Sequence, residues 1–377
     1  MCGPGGYRSS WMEPRPSATL RSSSLRGTPT RRGDGHANLS CAYAATAEEI
    51  AGLIQNFTVI VTKSTVPVGT GDEVEAIRRR PLPGAPFAVV SSPEFLLEGA
   101  VIEDFKRPDR LVIGVGDERA KAAMAELYRP ISLNEVPVIY TSRRTSEWIE
   151  YAVNGFLAMK ITFINKMADL CEKVGADIQQ LAKGIGLNGR IRAKPLNPGP
   201  GYCGSCFAKD TLAFVRTARD YKAPVRLIET TVEVDDARKV RVAEKIRDAT
   251  GGEVFGKTVA ILGLTFKPNT DGMSDSPSFV VIPALQAMGA RIRAFDPAGM
   301  NEARHLLKDV AFTESAYQAA EGADVLVILT GWDQFRALDL GGMNELMNRA
   351  LMVDLRNIYR QHEGSSDGFD YVGIGKP

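Results

Sequence analysis

Short β-rich apolar runs alternate with helix-length segments in two stretches of this chain, and that alternation limits its fold more than any other feature. In the first stretch Phe57-Thr-Val-Ile-Val-Thr-Lys63 is a β-branched run closed by Ser64-Thr65-Val66-Pro67. Further strand candidates are Phe87–Ser91, Arg110–Val115 and Val136–Tyr140, with helices at Ala44–Gln55 and Glu118–Tyr128. Such alternation predicts a parallel sheet with helical crossovers. The middle reads differently. Ser146–Val174 is one long apolar-periodic run that stops at Gly175, and helix-like sequence resumes over Asp210–Asp220 and, beyond Pro224, to about Thr250. A second alternating stretch follows, with strands at Thr258–Leu262, Arg291–Phe295, Asp324–Leu329 and Leu351–Leu355 and a helix at Ser278–Met288. The prediction is α/β: two Rossmann-like, doubly wound domains joined by a long helical segment.

A length of 377 residues accommodates two or three domains. The 46 basic and 45 acidic side chains nearly cancel, so charge gives no reason to expect a nucleic-acid partner. No apolar stretch approaches the roughly 20 residues that span a bilayer, and Met1–Ser24 lacks the apolar core of a secretion signal. The expected location is the cytoplasm. Residues 1–26, rich in Ser, Arg, Gly and Pro, predict a disordered tail. Within them Gly3-Pro4-Gly5-Gly6-Tyr7-Arg8 lacks both a preceding strand and the third glycine of a dinucleotide fingerprint.

The five cysteines, at 2, 41, 171, 203 and 206, do not look like a disulfide framework. Only Cys203 and Cys206 form a spaced pair. A redox pair or half of a zinc site is one reading, but no second Cys/His pair accompanies it and the histidines are only His36, His305 and His362. The other reading is nucleophilic. Glycines at 199, 201 and 204 let the backbone approach a ligand closely. Lys209 and Asp210, just beyond, are read as opening a helix, and a cysteine beside a lysine near a helix N-terminus should have a lowered pKa.

Four segments in order carry a resemblance: Lys63-Ser-Thr-Val-Pro-Val-Gly-Thr70, Pro93-Glu-Phe-Leu-Leu-Glu-Gly99, Gly199-Pro-Gly-Tyr-Cys-Gly-Ser-Cys-Phe-Ala-Lys-Asp210 and Leu262-Gly-Leu-Thr-Phe-Lys-Pro-Asn-Thr-Asp271. Asn154 with Phe156-Leu157, and Val353-Asp-Leu-Arg-Asn357, add two more. Together they resemble the UDP-glucose/GDP-mannose dehydrogenase family from about Gly27 to Arg360, and Ser205 before the cysteine suits its UDP-glucose branch. The resemblance implies oxidation of an alcohol to a carboxylate with two NAD molecules in succession. Cys206 would form a thiohemiacetal and then a thioester, which splits one hard conversion into easier steps. It further implies Asp210 and Thr65 beside a catalytic water, Glu94 in thioester hydrolysis and Asn154 at the developing oxyanion.

For UDP-glucose it implies Phe95, Leu96, Glu98, Leu196, Tyr202 and Cys203 around the sugar nucleotide, with Lys267 and Arg356 on the diphosphate. Arg190 would cross the interface of a homodimer. NAD would meet Thr28, Thr65, Glu98, Lys209 and the position of Ser274. The implied domains are a tail over 1–26, an NAD-binding remnant over 27–142, a helical domain carrying the cysteine loop over 143–250, and a UDP-sugar domain over 251–377.

The chain departs from the pattern at several places. Glu150 stands where the resemblance implies a lysine, four residues before Asn154 on one helix face. Losing such a donor costs about 2.7–4 kcal/mol of transition-state stabilisation, so severely reduced turnover is expected. Ser274 stands for an arginine, Cys203 for a glycine, Ala208 for a proline, Pro195 for an aromatic and Ser92 for an asparagine. The first βαβ unit of the NAD domain has no counterpart in residues 1–26. A catalytically inactive UDP-sugar-binding relative is therefore the alternative expectation.

Overall fold

The computed structural model describes residues 56–80, 84–94, 101–132 and 135–376, the side chains of 101–103 and 205–206 excepted. The tail over 1–26 and the helix expected at Ala44–Gln55 lie outside these residues, as do Thr28, Phe95, Leu96 and Glu98. The chain divides into two compact units, one reaching to Val153 together with Leu212–Pro224, the other formed by Asn154–Thr211 and the chain from Val225 onward.

In the first unit the order is β1 (Thr58–Thr62), α1 (Thr70–Arg79), β2 (Phe87–Ser91), α2 (Val101–Lys106), β3 (Leu111–Gly114), α3 (Glu118–Leu127), α4 (Arg129–Ser132) and β4 (Val138–Thr141). The sheet runs β1-β2-β3-β4. Its residues alternate faces as a strand requires. Val59, Val61, Ala88 and Val90 pack with Ala120 and Met124 of α3. Ile60, Phe87 and Val89 pack with Val74 of α1 on the other face. One expectation is corrected here. The β1/β2 and β3/β4 pairs are parallel, but β3 runs antiparallel to β2, meeting it at Ser91 and Gly114. The sheet is mixed, and the sequence could not show it: Leu111-Val-Ile-Gly114 is buried at every position, and such a strand carries no mark of its direction.

α5 (Arg143–Val174) is 32 residues long, about 48 Å at 1.5 Å per residue, and contributes to both units. After it come α6 (Ile178–Gly186), α7 (Ser205–Asp220) and α8 (Arg226–Ala249). The second unit then builds β5 (Thr258–Leu262), α9 (Ser278–Ala287), β6 (Arg291–Phe295), α10 (Met300–Leu306), β7 (Val310–Phe312), α11 (Ala316–Ala320) and β8 (Val325–Ile328). It closes with α12 (Asp333–Arg336), α13 (Leu340–Leu346), β9 (Leu351–Asp354), α14 (Gln361–Ser366) and β10 (Asp370–Gly373). All five strand pairings are parallel, in the order β10-β9-β8-β5-β6-β7. This is the doubly wound order, with its switch point between β5 and β8. Val259 and Ile261 face α8 and α9 through Ile246, Val281 and Leu285. Ala260 and Leu262 face α11 and α12 through Ala319 and Phe335.

At the switch point Gly263 has φ +92°, and a Cβ there would lie 2.4 Å from Thr330 Cβ and 2.6 Å from Thr330 N. Gly263→Ala is therefore expected to destabilise the fold by about 3 kcal/mol, from strained backbone plus overpacking. Urea unfolding checks this as a lower midpoint with an unchanged slope. No helix among the described residues is long and apolar enough to cross a membrane.

Candidate active site

The cysteine loop is laid down on α5 and α8 before it enters α7. Asn165 Oδ1 accepts from Gly199 N at 2.8 Å, and Arg238 Nε donates to Gly199 O at 2.7 Å. Arg238 is buried and also donates to Asp169 at 2.5 Å. Farther along, Tyr202 N donates to Asp235 Oδ1 at 2.8 Å, and Asp235 pairs with Lys239 at 3.0 Å. Three polar side chains on two helices, Asn165, Arg238 and Asp235, thus fix the approach to Cys206. The helix that receives it opens at Ser205, five residues before the expected start. Nothing in Ser-Cys-Phe-Ala-Lys breaks a helix, so Cys206 falls in its first turn.

One turn later stands Asp210, 1% exposed. Asn154 Nδ2 donates to its Oδ2 at 2.6 Å, while its Oδ1 is buried with no partner. Burial raises the Asp210 pKa to about 6, against the charge of Lys209 and the Asn154 hydrogen bond. A buried carboxylate oxygen without a protein donor is an acceptor waiting for a water or a hydroxyl.

At the switch point Lys267 follows β5 and Arg356 follows β9, both half-buried. Lys267 Nζ lies 5.5 Å from the Phe266 ring centroid. Arg356 donates to the Leu329 carbonyl at 2.8 Å and to the Phe266 carbonyl at 3.4 Å, and no acid pairs with it among the described residues. Cys203 Sγ donates to the same Phe266 carbonyl at 2.9 Å, and burial pushes its thiol up against the nearby Arg356 charge. The fold therefore brings Cys203 and Arg356 together. It places other expected residues elsewhere: Leu196 is packed in the core, Tyr202 is buried against α8, and Ser274 and Arg190 are exposed. Lys160 of α5 caps the stretch after Arg190, donating to the carbonyls of Ile191 and Lys194 at 2.9 and 2.6 Å.

Asp296, which no sequence pattern singled out, follows β6 where a dinucleotide fold carries its ribose-binding acid. Here one oxygen takes bonds from Leu264 N, Thr265 N and Trp332 Nε1, and the other from Ala298 N and Gly299 N. An acid so fully engaged is not offered to a ribose.

In the first unit Thr65 sits half-buried in the loop after β1. Glu94, three residues past β2, pairs with Lys63 at 3.5 Å, and Lys63 also donates to Tyr128 Oη at 3.0 Å. Glu150 is 6% exposed on α5, one turn before Asn154.

Three family models match in succession: the NAD binding domain over residues 25–132, the central domain over 144–237 and the UDP binding domain over 260–361 of the UDP-glucose/GDP-mannose dehydrogenase family. A UDP-glucose 6-dehydrogenase of Rhizobium meliloti is 60% identical over 93% of this chain and 80% of its own length. The chain belongs to the UDP-glucose/GDP-mannose dehydrogenase family. Another relative, UDP-glucose 6-dehydrogenase YwqF of Bacillus subtilis, is 42% identical over 93% of this chain and 79% of its own. Among solved structures, a UDP-glucose dehydrogenase from Pyrobaculum islandicum superposes with a TM-score of 0.84 at 32% identity, covering 95% of this chain and 80% of that one. The first sheet lies largely within the residues matched by the NAD binding domain, and the second largely within those matched by the UDP binding domain.

Proposed function

We propose that this chain oxidises UDP-glucose to UDP-glucuronate, with NAD as hydride acceptor and Cys206 as nucleophile. The Asn154–Asp210 pair carries the reading, because it sets a buried, half-satisfied carboxylate one turn beyond Cys206. The thiolate of Cys206 would capture the aldehyde, holding it through the second oxidation. Asp210 Oδ1 would accept from the water that hydrolyses the thioester. Asn154, its amide donating to Asp210, would be the group beside the developing oxyanion, a role suited to a fixed side-chain dipole. Lys267 and Arg356 would receive the diphosphate at the carboxyl ends of the strands, where ligands of open α/β sheets bind.

NAD supplies the two-electron acceptor when bound. Supporting that role, Thr65 lies in the loop at the carboxyl end of β1, in a sheet covered by helices on both faces. Thr28, Glu98, Lys209 and the position of Ser274 complete the set the family implies. The same proposal assigns 27–142 to NAD binding, 143–250 to the helical centre and 251–377 to the UDP-sugar. It also makes the protein a cytoplasmic homodimer. Support for the dimer is an exposed apolar stripe on α5, Phe156, Phe163, Leu170 and Val174, stepping at near-heptad intervals along one helix face.

Purified protein given UDP-glucose and NAD is expected to release two NADH for each UDP-glucose consumed, read from NADH absorbance against UDP-glucuronate formed. Binding of UDP-glucose with no NADH would overturn the reading and leave the inactive relative.

A further inference from the structure

We infer that Glu147 is a positioning residue for catalysis: one buried carboxylate that ties the Thr65 loop and the Glu94 segment to α5. The inference rests on the proposed reading, in which Thr65 and Glu94 belong to the catalytic machinery.

Glu147 lies in the second turn of α5 and is 2% exposed. Its Oε2 accepts from Gly69 N at 2.7 Å, and its Oε1 from Gly71 N at 2.9 Å and Ser91 Oγ at 2.8 Å. Those donors come from two segments. Gly69 and Gly71 begin α1, at the end of the loop that carries Thr65. Ser91 ends β2, three residues before Glu94. The adjacent Ser146 donates to Ser91 O at 2.8 Å, so α5 grips the end of β2 twice.

The N-cap of α1 is Gly69, which has no side chain to offer the orphan amides of the first turn. Glu147 supplies that cap from another helix, and the helix dipole favours its charge. Three hydrogen bonds offset only part of the cost of burying it, and burial still holds its pKa above the usual carboxylate value. An apolar contact would have joined these elements with no desolvation cost. What the carboxylate adds is direction: it fixes the register of two loops by bonds that tolerate little displacement. On the same helix Glu150 and Asn154 follow at one and two turns, so the anchor is shared with that face.

Glu147→Gln tests this, because the amide keeps the shape while turning an N–H toward a donor. The expected result is a kcat lowered by about 10–100-fold, the cost of misplacing catalytic groups by a fraction of an ångström to an ångström. The KM for UDP-glucose should change by a smaller factor than kcat, since the diphosphate groups Lys267 and Arg356 lie in the other unit and only Phe95, Leu96 and Glu98 follow the anchored segment. Hydrogen exchange at residues 69–71 should speed up while that within β1 does not. Ser91→Ala, which removes one donor only, should give a smaller fall of the same kind and serves if the glutamine variant is poorly folded. A glutamine variant with wild-type kcat, or one whose loss is explained by the unfolded fraction, overturns the inference and leaves the functional reading intact. Absence of turnover in the unaltered protein overturns that reading instead.

Discussion

Glu150→Lys is expected to raise kcat by about 10²–10³-fold. The position is 6% exposed and lies one helical turn before Asn154, whose amide is fixed by Asp210 at 2.6 Å. In the proposed reaction negative charge gathers on the substrate oxygen during oxidation and again when the thioester is attacked. A carboxylate on the helix face that carries Asn154 would oppose that charge where burial excludes water. An ammonium at the same Cβ reverses the sign and adds a donor. The gain belongs to the transition state, so kcat should rise while the KM for UDP-glucose stays nearly fixed. Glu150→Gln separates the two contributions: relief of repulsion without a cation should recover about tenfold or less of the same effect. Initial rates of NADH formation at saturating UDP-glucose and NAD decide the matter. If the lysine and glutamine variants both match the unaltered chain, Glu150 does not face the reacting oxygen and the assignment of this helix face is wrong.

Four strands of the second sheet were legible because each is a short segment of strand length bounded by glycine, proline or charge; Thr258–Leu262 and Arg291–Phe295 agree to the residue. Val310–Phe312 and Asp370–Gly373 were not. They are short edge strands with half-exposed faces, too brief to show a period of two. The direction of β3 was hidden for the opposite reason, since it is buried throughout. Among functional groups, the cysteine loop was readable because glycine, cysteine and lysine sit within one short segment. Glu147 and Asp296 were not, because their meaning lies in donors brought from distant segments. Glu147 meets Gly69, Gly71 and Ser91 only through the fold, and Asp296 meets Leu264 and Trp332 in the same way. Local sequence announces chemistry that is local; carboxylates that organise other loops are found only once the chain is folded.

Asp210→Asn is expected to do two opposite things: lower kcat by about 10²–10⁴-fold and make the protein more stable at neutral pH. Both follow from one buried carboxyl whose pKa is raised to about 6 by burial, against Lys209 and Asn154. In the unfolded chain the same group ionises near 3.8. Raised in the fold, it costs nothing below about pH 4, where it is protonated in both states. As pH climbs through about 6 the folded state must hold a charge in a desolvated site, and stability is lost by about 3 kcal/mol, the free energy of a shift of roughly two units. Asparagine is neutral at every pH and its oxygen can still accept from Asn154. Urea unfolding at pH 8 should therefore favour the variant by up to about 3 kcal/mol, and at pH 4 the two proteins should converge. Activity should behave inversely. The ionised form is the one able to accept from the hydrolytic water, so kcat of the unaltered chain should rise with pH through about 6. The variant should lack that limb altogether. A variant that loses stability at pH 8, or keeps the same pH profile, would show that Asp210 is a structural acid and that the water is held elsewhere. The predicted pairing is the signature of a site where the fold tolerates an unfavourable charge because the reaction needs it.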